Sequence, residues 1–368
     1  MNKKMILGFL LAYLAVFSVY AQQYDDAKDF QLEAIDGGKA VRITGYLGTK
    51  QTIRIPPEIL GLPVTVIGRN AFSKKNIVNV VIPDSVIDIG KDSFFGNQLT
   101  SVTIGNSVIK IGEGAFSGNL LTSVIIPDSV TEIGGNSFSS NRLKNVTIGN
   151  SVTKIEGSAF DSNQLTSIII PSSVIELGGF SSNQLTSITI PDSVTEIGIY
   201  AFSGNQLTSV TIPNSVTRIH SGAFLGNQLT SVTIPNSVTY IGQWAFDANK
   251  LTSVVIGNNV TYIIASAFSN NHLTSVTIPN SVKYIGQDAF SNNRLTSITI
   301  PNSVTEFGKG AFSKNQLSSI TIGAELKLDS RGNSMLPFDN GFEKAYNDQG
   351  RKAGTYIGLN GLWVLQSQ

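Results

Sequence analysis

The sequence predicts a repeat solenoid, mainly β, of about 12–13 coils of 22 residues. Three observations predict it. One phrase, LTSVTIPNSVTYIGQWAFDANK in the copy starting at Leu229, recurs from Ile77 to Ile322. Apolar residues alternate with polar ones at the start of each copy. Phenylalanine stands at the same place in every complete copy.

Copies begin at Ile77, Leu99, Leu121, Leu143, Leu165, Leu185, Leu207, Leu229, Leu251, Leu273, Leu295 and Leu317. Every step is 22 residues except Leu165 to Leu185, which is 20. A looser copy with five extra residues around Gly61-Leu62-Pro63 precedes them from about Lys50. A 20–29-residue period with apolar residues spaced L-x-x-L-x-L is the leucine-rich-repeat signature. It predicts a right-handed superhelix with a parallel β-sheet on the concave face.

Within a copy, positions 1, 4 and 6 are apolar (Leu229, Val232, Ile234), and 4 and 6 alternate with polar 3 and 5 (Ser231, Thr233). That is strand period with one face buried. Position 7 is Pro or Gly, as in Pro235 and Gly257; proline lacks the N–H a ladder needs, so the strand is expected to stop there. The chain returns through Val238, Ile241, Ala245 and Phe246, expected to point inward. One coil cannot close a core alone, so stacked coils share one.

Position 18 is Phe72, Phe94, Phe116, Phe138, Phe160, Phe180, Phe202, Phe224, Phe246, Phe268, Phe290 and Phe312, twelve of the nineteen phenylalanines. A stacked core spine accounts for them; an aromatic ligand box is the weaker reading. Position 21 is asparagine from Asn97 to Asn315. Its amide can satisfy backbone groups left open at a turn, which makes a structural ladder.

The phrase L-x-x-V-x-I-P-x-S-V-x-x-I-G-x-x-A-F-S resembles the BspA-type leucine-rich repeat of bacterial surface proteins over residues 50–322. The first copy, Thr52 to Phe72, is also similar to the family's usual first copy. Many members carry cysteine near position 21; asparagine stands there in this chain. The resemblance implies a curved solenoid, exposure at the cell surface, and binding to host matrix proteins, host cells or other bacteria. It implies no catalytic residues.

The ends differ from the repeat. Residues 22–49 read as an N-terminal cap, a hairpin of Phe30–Ile35 and Ala40–Tyr46 turning at Asp36-Gly37-Gly38. Residues 323–368 read as a C-terminal cap or an attachment segment, with a short helix at Phe338–Tyr346 and a hairpin Gly354–Leu365 turning at Asn360-Gly361. Residues 1–21 have the pattern of a secretory signal: Lys3 and Lys4, an apolar run from Met5 to Val19, and small residues Val19 and Ala21 before the cleavage point. The expected product is exported, secreted or held at the cell surface, with a periplasmic location as the alternative. It has no transmembrane segment in the mature chain.

Composition excludes much. Charged residues are 14% and the net charge is +1; removing Lys3 and Lys4 leaves 24 basic against 25 acidic residues. Such a chain has no electrostatic footprint for nucleic acid. Without cysteine it has no disulfide, thiolate metal site or cysteine nucleophile. His220 and His272 fall two coils apart and are not expected to share a metal. No Ser-His-acid set or phosphate loop appears, so no enzyme and no cofactor are expected.

Two surfaces remain as candidate sites. The strand face repeats a Ser-Thr pair, as in Ser209/Thr211, Ser231/Thr233 and Ser275/Thr277. It reads either as a solubilising ladder or as a hydroxyl lattice for a glycan, a polymer or a crystalline surface. Position 12 runs Asp88, Lys110, Glu132, Lys154, Glu176, Glu196, Arg218, Tyr240, Tyr262, Tyr284 and Glu306. Its alternating charges are expected to pair between rungs, and the short copy is expected to separate Glu176 from Glu196. Tyr240, Tyr262 and Tyr284 would line one outer stripe with Trp244 nearby, either a packing ladder or a patch that anchors a ligand. The leading expectation is a noncatalytic adhesin for an extracellular protein ligand on a host or neighbouring cell. The alternatives are a glycan-binding or surface-lattice protein and a self-associating envelope or matrix component.

Overall fold

A computed structural model describes residues 24–324, 326, 328, 337–338, 340–359 and 362–366. The leader at 1–21 and the turn at Asn360-Gly361 lie outside the described residues. The chain winds as a mainly-β solenoid of about 13 turns of roughly 22 residues, with very little helix.

Each coil turns its apolar positions inward. Leu229, Val238, Ile241, Ala245 and Phe246 are fully buried, and Val232 and Ile234 nearly so. The phenylalanines form one column. From Phe72 to Phe312 neighbouring rings lie nearly parallel, with centroids between 4.9 Å (Phe72–Phe94) and 5.9 Å (Phe180–Phe202) apart. Tyr46 closes the column at one end, 5.6 Å from Phe72, and Phe338 extends it at the other, 5.3 Å from Phe312. Burying each ring is worth roughly 1.5–3 kcal/mol.

The asparagine column binds backbone rather than neighbouring asparagines. Asn119 Nδ2 donates to the carbonyls of Phe94 and Phe116, both at 3.0 Å, and its Oδ1 accepts from Leu99 N–H at 3.0 Å. Every asparagine from Asn97 to Asn315 repeats this pattern, tying two consecutive phenylalanine carbonyls to the start of its own coil.

The sheet differs from the expectation. Each coil was expected to carry its strand at positions 3–5, but the continuous sheet is built from two-residue strands at positions 12–13, such as Glu132–Ile133 and Lys154–Ile155. The Ser-x-Thr segments pair only in short separate patches, for example Ser231–Thr233 with Ser253–Val255. Ser209, Thr211, Ser275 and Thr277 lie in no strand. Thr208 N–H reaches Thr186 C=O only at 3.4 Å, whereas Thr252 N–H reaches Thr230 C=O at 2.9 Å.

At the N-terminal end, strands Phe30–Ile35 and Ala40–Tyr46 pair antiparallel, and the second joins the main sheet. At the other end, strands Gly354–Leu359 and Leu362–Leu365 extend a patch from Ser319–Ile322. The helix there spans Phe342–Asp348, later than Phe338–Tyr346, because Phe338 is held in the aromatic column and its N–H is taken by Glu343 Oε1 at 2.6 Å.

Candidate functional site

Position 12 forms one outward stripe because two-residue strands point one side chain in and the next out. Its residues pair rung to rung from Asp88 to Glu306. Lys110 Nζ lies 3.1 Å from Glu132 and Lys154 Nζ 3.8 Å from Glu176. The short copy does not separate Glu176 from Glu196; the two are direct partners in register. Losing two residues shortens the coil beyond position 14 and leaves the strand at 12–13 in place.

Tyr240, Tyr262 and Tyr284 follow in register on the same stripe. Tyr262 is 48% exposed and its neighbours are half-buried. None of these rings contacts another ring among the described residues; Arg218 lies over Tyr240, 5.3 Å from its centroid. Trp244 sits off the stripe, half-buried on the following corner, in the left-handed conformation (φ 57°).

The Ser-Thr face encloses a shallow cleft of about 590 Å³ that brings together Ser209, Thr211, Ser231 and Thr233, with Asn214 and Asn236 on its rim. Ser275 and Thr277 lie outside it. The face is less uniform than expected: Ile125 (70% exposed), Ile169 (85%) and Val255 stand in the threonine column. Reading position 5 through every copy would have found them.

A third feature was missed as a site. A cleft of about 480 Å³ opens at the 20-residue coil. Ordinary corners pass through position 16 in the left-handed conformation, as at Asn136 (φ 56°) and Tyr200 (φ 51°). The short coil lacks positions 15 and 16 and closes through Gly179 at φ 88°. A Cβ there would come within 2.7 Å of Ala159 N and Glu156 O, so only glycine fits. The cleft is lined by Lys154, Glu156, Glu176, Glu196 and His220 above an apolar floor that includes Ile155 and Leu177. Lys154 Nζ lies 3.1 Å from Glu156, and His220 Nε2 lies 2.7 Å from Glu196. Burial pushes the Glu156 carboxyl up, but the Gly135 amide and the Lys154 ammonium outweigh it and hold it below its ordinary value. The hydrogen bond and charge of Glu156 raise Lys154. The sequence signal was the 20-residue step itself.

Among the described residues, no group of three His, Asp or Glu side chains is placed to hold a metal. No helix among them is long and apolar enough to cross a membrane.

Stacked 22-residue coils with an inward leucine, an inward phenylalanine and a continuous short-strand sheet define a leucine-rich-repeat protein. The profile of the BspA type leucine rich repeat region matches residues 65–179, 175–294 and 263–336, and the chain belongs to that family. It is similar to a leucine rich cell surface protein from Faecalibacterium prausnitzii, at 29% identity over 85% of this chain and 97% of the other, with a TM-score of 0.54. A leucine-rich repeat protein from Bacteroides ovatus is 25% identical over 83% and 91% of the two chains, with a TM-score of 0.57. The pneumococcal vaccine antigen PcpA shares the fold at 22% identity over 81% and 80%, with a TM-score of 0.54. No curated protein matches the chain.

Proposed function

We propose that this is an exported, noncatalytic surface protein that acts as an adhesin, holding a protein of a host or neighbouring cell on the solenoid surface. The observation that carries the reading is the in-register stripe of Arg218, Tyr240, Tyr262 and Tyr284, with Tyr262 the most exposed of the three tyrosines. Arginine and tyrosine are the side chains in which interfaces concentrate their energy. The signal-like residues 1–21 and the surface location of the F. prausnitzii relative support export.

A second reading has its own observation. The cleft at Ser209, Thr211, Ser231 and Thr233 gathers hydroxyls and amides, the donors and acceptors a glycan needs. A ligand array probed with residues 22–368 separates the two. Matrix or cell-surface protein hits, weakened at least tenfold (about 1.4 kcal/mol) by Tyr240, Tyr262 and Tyr284→Ser together with little change in Tm, support the adhesin. Polysaccharide hits that survive those changes support the glycan reading. Filaments in place of any hit would favour self-association and sink both.

A further inference from the structure

We propose that the cleft at the short coil docks an extended peptide segment of a protein ligand, with a lysine or arginine side chain placed among Glu156, Glu176 and Glu196. The proposal rests on the binding-protein reading above and gives it a specific site.

Its first basis is a broken ladder. At complete corners the N–H of position 16 donates to the C=O of position 15 in the next coil: Asn136 to Gly157 at 3.3 Å, Tyr200 to Ser221 at 2.9 Å, Gly222 to Gln243 at 2.7 Å. The short coil has no such residues, so Ser158 N–H and Ile199 C=O make no backbone hydrogen bond among the described residues. They belong to coils two rungs apart, on the order of 10 Å, and Ile199 and Gly157, the residue before Ser158, line the cleft. A ligand backbone running between them would accept from Ser158 and donate to Ile199. That replaces the missing rung, in the way edge pairing captures extended peptides.

The second basis is apolar surface. Ile199, 59% exposed, lines the cleft with Ile155 and Leu177. An apolar ligand side chain two residues from the basic one, on the same face of the extended segment, would cover it.

The third basis is charge. Glu113, Glu156, Glu176 and Glu196 line the cleft against Lys154 and His220. Glu113 is held by Lys91 at 2.6 Å and Glu196 by His220 at 2.7 Å. Lys154 is closer to Glu156 than to Glu176, which it meets at 3.8 Å. The Glu176 side chain is 63% exposed, leaving it room for a second cation. A polyanion meets like charge here; a basic peptide meets complementary charge.

The test is fluorescence anisotropy of the labelled, end-blocked peptide Gly-Ile-Gly-Arg-Gly, with Gly-Ile-Gly-Glu-Gly as control and spermidine as competitor. Wild-type protein is expected to bind the arginine peptide at least about tenfold more tightly than the glutamate peptide. Glu176→Lys is expected to weaken binding by a similar factor. Inserting Gly-Asn between Gly178 and Gly179, which restores a 22-residue coil, is expected to abolish it. Circular dichroism checks the fold of both variants, and Glu176→Lys alters an exposed side chain if the insertion proves unstable. Equal binding of the two peptides, binding unchanged in either folded variant, or displacement by spermidine at the peptide's own affinity would overturn the proposal. Protein capture on the array, measured in parallel, separates the two claims. Capture that persists in the insertion variant without peptide binding overturns the docking site and leaves the adhesin reading standing. Peptide binding without capture of any protein does the reverse.

Discussion

Glu176 and Glu196 stand directly opposite one another in adjacent rungs of the main sheet. Like charges in that relation repel, but Lys154 Nζ lies 3.8 Å from Glu176 and the His220 ring lies 2.7 Å from Glu196. Glu176→Gln relieves one repulsion and loses one attraction, both at the surface. Its stability in urea is expected to stay within about 0.5 kcal/mol of wild type at low and high salt.

The asparagine column satisfies buried backbone groups, interior phenylalanine carbonyls such as that of Phe138 taking two amides and leading leucine N–H groups such as that of Leu143 one. Asn163 Oδ1 accepts from Leu143 N–H at 2.9 Å, and Nδ2 donates to Phe138 C=O at 3.0 Å and Phe160 C=O at 2.9 Å. Asn163→Ala strands the Leu143 N–H, while Asn141 and Asn183 still donate to the Phe138 and Phe160 carbonyls at 3.1 and 3.0 Å, and it is expected to cost about 1–3 kcal/mol, the cost of one orphaned buried group. Equilibrium urea unfolding measures this; a loss below 1 kcal/mol (about the worth of one ordinary hydrogen bond) would show that water replaces the amide.

Position 17 is alanine in most coils, but Ser93 and Ser137 occupy it in two, fully buried with hydroxyls that have no hydrogen-bond partner among the described residues. Ser137→Ala removes an unsatisfied polar group without opening much space and is expected to stabilise by about 1 kcal/mol. Ala159→Ser is expected to destabilise by a similar amount. A fall in Tm for Ser137→Ala would mean the hydroxyl is satisfied in solution.

Burial pushes the Asp247 carboxyl above its ordinary value near 3.8, against the lowering effect of the Asn270 amide, which donates to it at 2.7 Å. The native state therefore keeps this proton to a higher pH than the unfolded chain does. Its contribution to stability is fully present below 3.8 and is lost as pH rises through the higher native value. Asp247→Asn removes that loss. The stability of the variant relative to wild type is expected to grow as pH rises through that window and to stay constant above it. Urea unfolding between pH 3 and 7 (about the span over which a raised carboxyl titrates) reads the difference, and a flat difference would refute it.

The phenylalanine and asparagine columns were legible because both recur every 22 residues with one side chain each, so their stacking follows from the winding alone. The main sheet was not. Alternation at Leu229, Val232 and Ile234 reports which side chains are inside. It does not report whether successive backbones lie close enough to bond, and around Thr186 and Thr208 they reach only 3.4 Å. The sheet instead follows Glu132–Ile133 and its equivalents, where two residues carry too little pattern to stand out. The tyrosine stripe was readable as a register but not as separate rings, because ring orientation depends on neighbours such as Arg218. The cleft was visible as a shortened step, yet its open groups at Ser158 and Ile199 emerge only when adjacent corners are compared in space.

The aromatic column also sets a unit of length. Each copy advances the rings by 4.9 to 5.9 Å and binds only the copies on either side. Whole copies can therefore be gained or lost by duplication or deletion, lengthening or shortening the protein's reach in even increments while every contact type is preserved. A change of two residues instead leaves a scar that later copies do not erase, and the 20-residue coil is such a scar, carried at a fixed height along the rod.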